Sequence, residues 1–136
     1  MFRKLMHCSV FALMGVVGVL ATYGWAISAN KATSISDVMK ASFGKDGFKA
    51  KITQAAKSKN YEDVAKLAKS WVGCVENLLQ NKPPKGDEAA WKQRAEKFLS
   101  ITRDLLAAAE KGDGKGVNAS LGAVGKLCGD CHKNHK

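Results

Sequence analysis

Two cysteines and a histidine near the end of the chain have the spacing of a covalent cofactor site. Cys128 and Cys131 are separated by two residues, and His132 directly follows the second cysteine. Two thiols at this spacing can each add to one vinyl group of a haem, and the adjacent imidazole is placed to bind the iron. The motif therefore predicts one covalently attached haem c, held by Cys128, Cys131 and His132.

Two other chemistries use the same residue types. Together with His135, the motif contains four side chains that zinc can bind, but they all fall within one short segment. Zinc sites usually take their two ligand pairs from separated segments. A thioredoxin-like redox pair needs a strand before the motif, whereas a helical pattern precedes Cys128. Both alternatives are therefore less favoured than haem.

The first residues are organised as an export signal. Two basic residues precede an apolar run over residues 10–21, and the small residues Ala26, Ser28 and Ala29 follow. This order is that of a secretory signal and its cleavage site. Covalent haem attachment in bacteria also takes place outside the inner membrane. We predict a signal peptide at 1–29, a mature domain at 30–136 and a periplasmic location, with membrane contact only if the signal is retained.

The mature chain is predicted to be a single all-α domain. Apolar side chains recur every three or four residues in four successive segments, which is the period of an amphipathic helix. The expected limits are 34–56 with a break at Gly44–Gly47, a segment from Asn60 to before Pro83, a segment from Asp87 to about Gly112, and a last segment that starts between Asp113 and Val117. Such helices bury their stripes only against each other. We therefore predict an antiparallel four-helix bundle, with haem near the C-terminal end of the last helix.

The last segment is rich in glycine. Gly122, Gly125 and Gly129 each lower helix propensity by up to about 1 kcal/mol relative to alanine. A residue without a side chain allows close approach of a flat macrocycle or of a neighbouring helix. We therefore hypothesise that the glycines of the last segment allow such a close approach.

Cys74 is the cysteine that neither the signal nor the haem motif uses. Free cysteine most often behaves as a small buried apolar residue, and we favour that interpretation here. An intersubunit disulfide, which would produce a homodimer, is the alternative.

The motif and the helical pattern resemble those of class II c-type cytochromes, the four-helix-bundle group that includes cytochrome c'. The resemblance extends over most of residues 34–136 and is most specific at Cys128, Cys131 and His132. In low-spin members, a methionine of the first helix binds iron opposite the histidine, which implies Met39 as the second axial ligand. A core gap-filler is the alternative role for Met39. His135 lies three residues after His132 on the same helix and is not expected to reach the opposite haem face.

The resemblance implies a one-electron carrier and not an enzyme. The alternative is a five-coordinate protein that binds NO or CO, as cytochrome c' does, but Lys133 and Lys136 stand where cytochrome c' typically has arginine near the haem. The net charge of +10 and the lysines near the motif could steer an acidic redox protein to this edge. A solvated surface that keeps the protein soluble is the alternative explanation of the same charges. Nucleic acid is not expected as a partner of an exported haem protein.

Overall fold

The computed structural model describes residues 33–136. The predicted signal peptide at 1–29 lies outside the described residues. The helices are α1 (Ile35–Phe43), α2 (Phe48–Lys57), α3 (Tyr61–Glu76), a 3-10 turn (Asn77–Gln80), α4 (Glu88–Glu110) and α5 (Gly114–His135). Within this part of the chain, none of the helices combines the length and the hydropathy that crossing a membrane requires.

The first helical unit is broken, as predicted. The Ser34 hydroxyl caps α1 by accepting a hydrogen bond from the Asp37 N–H at 3.2 Å. The chain then turns between Gly44 and Gly47 before α2 begins. A Cβ on Gly47 would lie 2.8 Å from the Ala41 carbonyl oxygen, so this turn is too tight for a side chain. Because of the turn, α1 and α2 are two short helices rather than one.

The helices α3, α4 and α5 begin within the limits predicted for them. The side chains of Asn60, Asp87 and Asp113 accept hydrogen bonds from backbone N–H groups in the first turns of α3, α4 and α5. Each bond satisfies a donor that the helix itself leaves free. Gly112 ends the turn between α4 and α5 with φ at 66°, a conformation that glycine adopts without steric cost.

Successive helices pack against each other as a four-helix bundle, with α1 and α2 together forming its first unit. Every unit contributes a fully buried side chain to one core: Val38, Ile52, Trp71, Leu105 and Val117. The all-α bundle predicted from the apolar stripes is therefore confirmed.

Trp71 is the centre of the aromatic part of the core. Its ring lies edge-on to Phe43 at 6.1 Å and to Phe98 at 5.8 Å between centroids. Its Nε1–H donates a hydrogen bond of 2.9 Å to the hydroxyl of Ser42, which is also fully buried. These contacts join the C-terminal end of α1 to α3 and α4.

For the glycines of α5, the hypothesis of close approach by a neighbouring helix is wrong, whereas approach by a macrocycle stays a prediction. Gly122, Gly125 and Gly129 are exposed. A Cβ at Gly122 or Gly129 would meet no atom within 4 Å, and one at Gly125 would meet only the Lys49 Nζ, at 3.9 Å. These glycines therefore lie on the outer face of α5, where no neighbouring helix comes close.

Cys74 is free and half-buried rather than fully buried. It packs against the core from α3. Burial raises the pKa of its thiol, which keeps the sulfur protonated and unreactive at neutral pH.

Candidate cofactor site

A cavity of about 610 Å³ lies at the end of the bundle where α1 and α4 begin and α5 ends. All four predicted site residues line it: Met39 from α1, and Cys128, Cys131 and His132 from α5. The structure therefore brings together residues that are almost a hundred positions apart in the sequence.

The geometry of α5 places the three motif residues side by side. Residues three and four positions apart share one face of a helix, so Cys128, Cys131 and His132 form one cluster. Both cysteines are half-buried against the core, whereas His132 is exposed at the cavity wall.

Both motif thiols are shifted toward the protonated form. Burial is the main cause that raises the pKa of Cys128 and of Cys131. The positive charges of Lys49 near Cys128 and of Arg94 near Cys131 oppose this effect without cancelling it. The two sulfurs therefore stay as thiols in the folded chain at neutral pH.

Met39 is carried by a helix of nine residues that is tied to the cavity wall. The Asn81 side chain donates to the Thr33 carbonyl at 2.9 Å, just before α1 begins. The Trp91 indole N–H in turn donates to the Asn81 carbonyl at 2.9 Å. This chain of bonds connects the start of α1 to α4 and so helps to hold Met39, which is half-buried, at the cavity.

His135 is buried, with 4% of its surface exposed. Its Nδ1 lies 3.1 Å from the Lys85 carbonyl oxygen, and its Nε2 lies 3.3 Å from Nη1 of Arg94. The ring packs edge-on to Trp91, at 5.5 Å between centroids. His135 therefore joins α5 to α4 and to the loop before α4, a role that the sequence did not suggest.

The sequence also gave no role to Arg94, which lines the cavity. It falls three residues after Trp91 and four before Phe98, so it lies on the apolar stripe of α4. An arginine within a stripe of core positions is the signal that could have identified it.

The charged residues of the cavity wall are all basic. Lys82, Arg94 and Lys136 line the cavity, and its wall contains no aspartate or glutamate. Lys82 is paired at 3.5 Å with Glu88, and both side chains are largely exposed. The cavity therefore has a positive rim and an apolar interior.

The zinc interpretation requires His135 to join the motif residues. Within residues 33–136, no three His, Cys, Asp or Glu side chains are grouped so that they could hold a metal ion. His135 instead contacts Lys85 and Arg94. The four-residue zinc set is therefore not assembled.

The residues present fit a haem. The cavity volume lies within the range of about 300–1,000 Å³ that is typical of sites for small molecules and cofactors. Apolar side chains such as Phe43, Leu78 and Phe98 form much of its wall. Two thiols and an imidazole with the spacing of a haem-attachment motif stand in the same wall.

Residues 85–136 match the family model of Cytochrome C'. No curated protein and no solved structure matches the chain. The matched segment contains α4, α5 and the motif at Cys128, Cys131 and His132. Together with the helical bundle, the match supports a four-helix-bundle c-type cytochrome with covalently bound haem c. Met39 lies outside the matched segment, so its ligation of iron stays a prediction.

Proposed function

We propose that the protein is an exported monohaem c-type cytochrome that carries single electrons. The observation that carries this proposal is the common cavity of Met39, Cys128, Cys131 and His132. Together these side chains supply what such a carrier needs, namely two thiols for covalent attachment and two axial ligands of different softness.

The haem, when bound, supplies an iron that changes between the ferric and ferrous states by one electron. Cys128 and Cys131 would hold the group through thioether bonds, while His132 and Met39 would offer an imidazole nitrogen and a thioether sulfur to the iron. The thioether is a soft, neutral ligand that favours the ferrous state. The apolar wall excludes water and so lowers the local dielectric.

The proposed location and partner follow from charge and from the export pattern. The signal-like first residues support a periplasmic location, where c-type haem is attached in bacteria. Lys82 and Lys136 at the cavity rim, with the exposed Lys133 on the same helix, favour an acidic redox protein as the partner. We propose no enzymatic reaction.

The axial role of Met39 is tested by Met39→Leu and Met39→Ala in the haem-loaded protein. Leucine keeps the apolar volume and removes only the sulfur, whereas alanine also opens space beside the iron position. We expect both variants to lose the weak near-infrared band of sulfur-to-iron charge transfer. The ferrous Met39→Ala protein should bind CO readily, whereas the wild type should resist it.

Two results would contradict the proposal at different levels. If the ferric wild type is high-spin and the ferrous wild type binds CO as readily as ferrous Met39→Ala, Met39 is only packing, and a gas-binding protein becomes the better account. If the wild type, expressed with a c-type maturation system, acquires no covalent haem, both accounts are wrong.

A further inference from the structure

Arg94 is a half-buried cation without an anionic partner. Its Nη1 donates to the Ala90 carbonyl at 3.1 Å and faces the His135 ring at 3.3 Å. Among the ion pairs formed within residues 33–136, none includes Arg94. A charge removed from water is unfavourable unless another group compensates it. The arrangement therefore suits an anion that enters the cavity.

The partners of His135 determine how it contacts Arg94. The Lys85 carbonyl can only accept a hydrogen bond, so Nδ1 of His135 must carry the proton and donate. The guanidinium of Arg94 can only donate, so Nε2 of His135 accepts from it. The neutral ring thus fixes one side of the guanidinium and neutralises none of its charge.

The remaining donors of Arg94 match a carboxylate. Its two contacts occupy Nη1, whereas no hydrogen bond within the described residues uses Nε or Nη2. Two parallel N–H groups of a guanidinium form the bidentate pair that carboxylates prefer. The cavity wall itself offers no aspartate or glutamate as the acceptor.

We propose that Arg94 binds a propionate carboxylate of the haem and that His135 is the residue that positions Arg94. This inference rests on the proposed function, because the haem is the carboxylate-bearing group that the cavity fits. It assigns Arg94 as a cofactor-binding residue in addition to the motif and Met39.

The test compares haem-loaded Arg94→Gln and Arg94→Lys with Arg103→Gln. Arg103 lies on the same helix, is largely exposed and pairs with Glu76 at 3.0 Å, so it serves as a matched control. The readouts are the propionate bending band in the resonance Raman spectrum and the pH dependence of the reduction potential. Besides the two motif cysteines, the positive or titratable groups that also face the cavity are Lys82, His132, His135 and Lys136.

We expect Arg94→Gln to shift the propionate band and to lower the potential at neutral pH. Without the guanidinium, the carboxylate holds its proton to a higher pH, and the potential should fall more steeply as that proton is lost. Arg94→Lys should lie between this variant and the wild type, because lysine keeps the charge without the planar pair of donors. Arg103→Gln should leave both readouts unchanged.

The positioning role is tested by His135→Gln and His135→Phe. Glutamine can still accept a hydrogen bond from Arg94, whereas phenylalanine keeps the contact with Trp91 and offers no acceptor. His135→Phe should move the propionate band toward that of Arg94→Gln, and His135→Gln should restore much of the wild-type frequency. Equal spectra for these two His135 variants and the wild type would contradict the positioning role.

The failures of the two proposals are distinguishable. A wild type without covalent haem would reject the proposed function before any variant is compared. A covalent haem whose propionate band and pH profile are the same in Arg94→Gln and in the wild type would overturn only the assignment of Arg94.

Discussion

The two ends of the bundle differ in whether their polar and charged side chains have partners within the protein. At the end opposite the cavity, short turns connect α2 to α3 and α4 to α5. There Asp113 caps α5, and Tyr61 lies so close to Gly114 that a side chain at that position would overlap its hydroxyl group. The Asp113 carboxylate thus finds its hydrogen-bond partners within the protein.

At the cavity end, a longer connection joins α3 to α4. One charged side chain at this end has no anionic partner among the described residues. The loop before α4 reaches α5 through the bond between Lys85 and His135, while Arg94 has no anion. Polar and charged side chains thus surround an apolar space at this end. The difference indicates that protein contacts alone stabilise the end opposite the cavity, whereas the cavity end needs a bound group to supply the remaining contacts.

The largest effect is expected from removing both motif thiols. Cys128→Ala with Cys131→Ala should abolish covalent attachment, so acidified organic solvent should extract any remaining pigment. Cys74→Ala is the matched control, since Cys74 does not line the cavity, and it should keep the haem on the chain. Pigment that still migrates with the double variant on a denaturing gel would contradict the assignment of the thiols.

A smaller effect is expected from removing a cap at the far end. Asp113→Ala leaves two N–H groups of α5 without their acceptor, in a first turn that contains Gly114 and Gly116. Loss of a helix cap costs about 1 kcal/mol of unfolding free energy, which urea denaturation of the haem-loaded protein would measure.

Asp113→Asn retains a capping oxygen and is the control for this variant. We expect the reduction potential of both variants to equal that of the wild type, because Asp113 is remote from the cavity wall. A change in potential comparable to that of Arg94→Gln would show that the two ends are not independent.

The smallest effect is a gain in stability at the turn before α3. Lys59 has φ at 54°, a left-handed conformation that is unfavourable for residues with a Cβ. Lys59→Gly should raise the unfolding free energy by about 0.5 kcal/mol, since relief of strain exceeds the greater entropy of glycine in the unfolded chain.

Lys57→Gly, two residues earlier at the last residue of α2, is the matched control and should lower the unfolding free energy by up to about 1 kcal/mol. Both variants are compared by thermal denaturation of the haem-loaded protein. Equal destabilisation by the two substitutions would show that the conformation at Lys59 carries no strain.

Helix limits and the motif cluster could be predicted because their signals are local. Caps at Asn60 and Asp87 lie within a few residues of the groups that they bind, and Cys128 is one helical turn from Cys131. The contact between Lys85 and His135 could not be predicted, since it joins residues 50 positions apart and depends on the path of a loop.

The glycines of α5 and Arg94 differ from what the sequence pattern suggests, each for a physical reason. The glycines of α5 suggest close contact with a neighbouring helix, yet helical spacing places Gly122 and Gly129 on the exposed face. Residue type alone does not identify Arg94, because charged residues are normally solvated, whereas its position on the apolar stripe of α4 does indicate a place at the core.

Gly86 has a consequence for how the sequence can vary through evolution. Its φ is 86°, and a Cβ there would lie 2.5 Å from the Asn134 carbonyl oxygen and 2.9 Å from Nδ1 of His135. A side chain at position 86 would push the loop away from α5 and break the bond from His135 to Lys85. Positions 86 and 135 should therefore change together among descendants of this sequence.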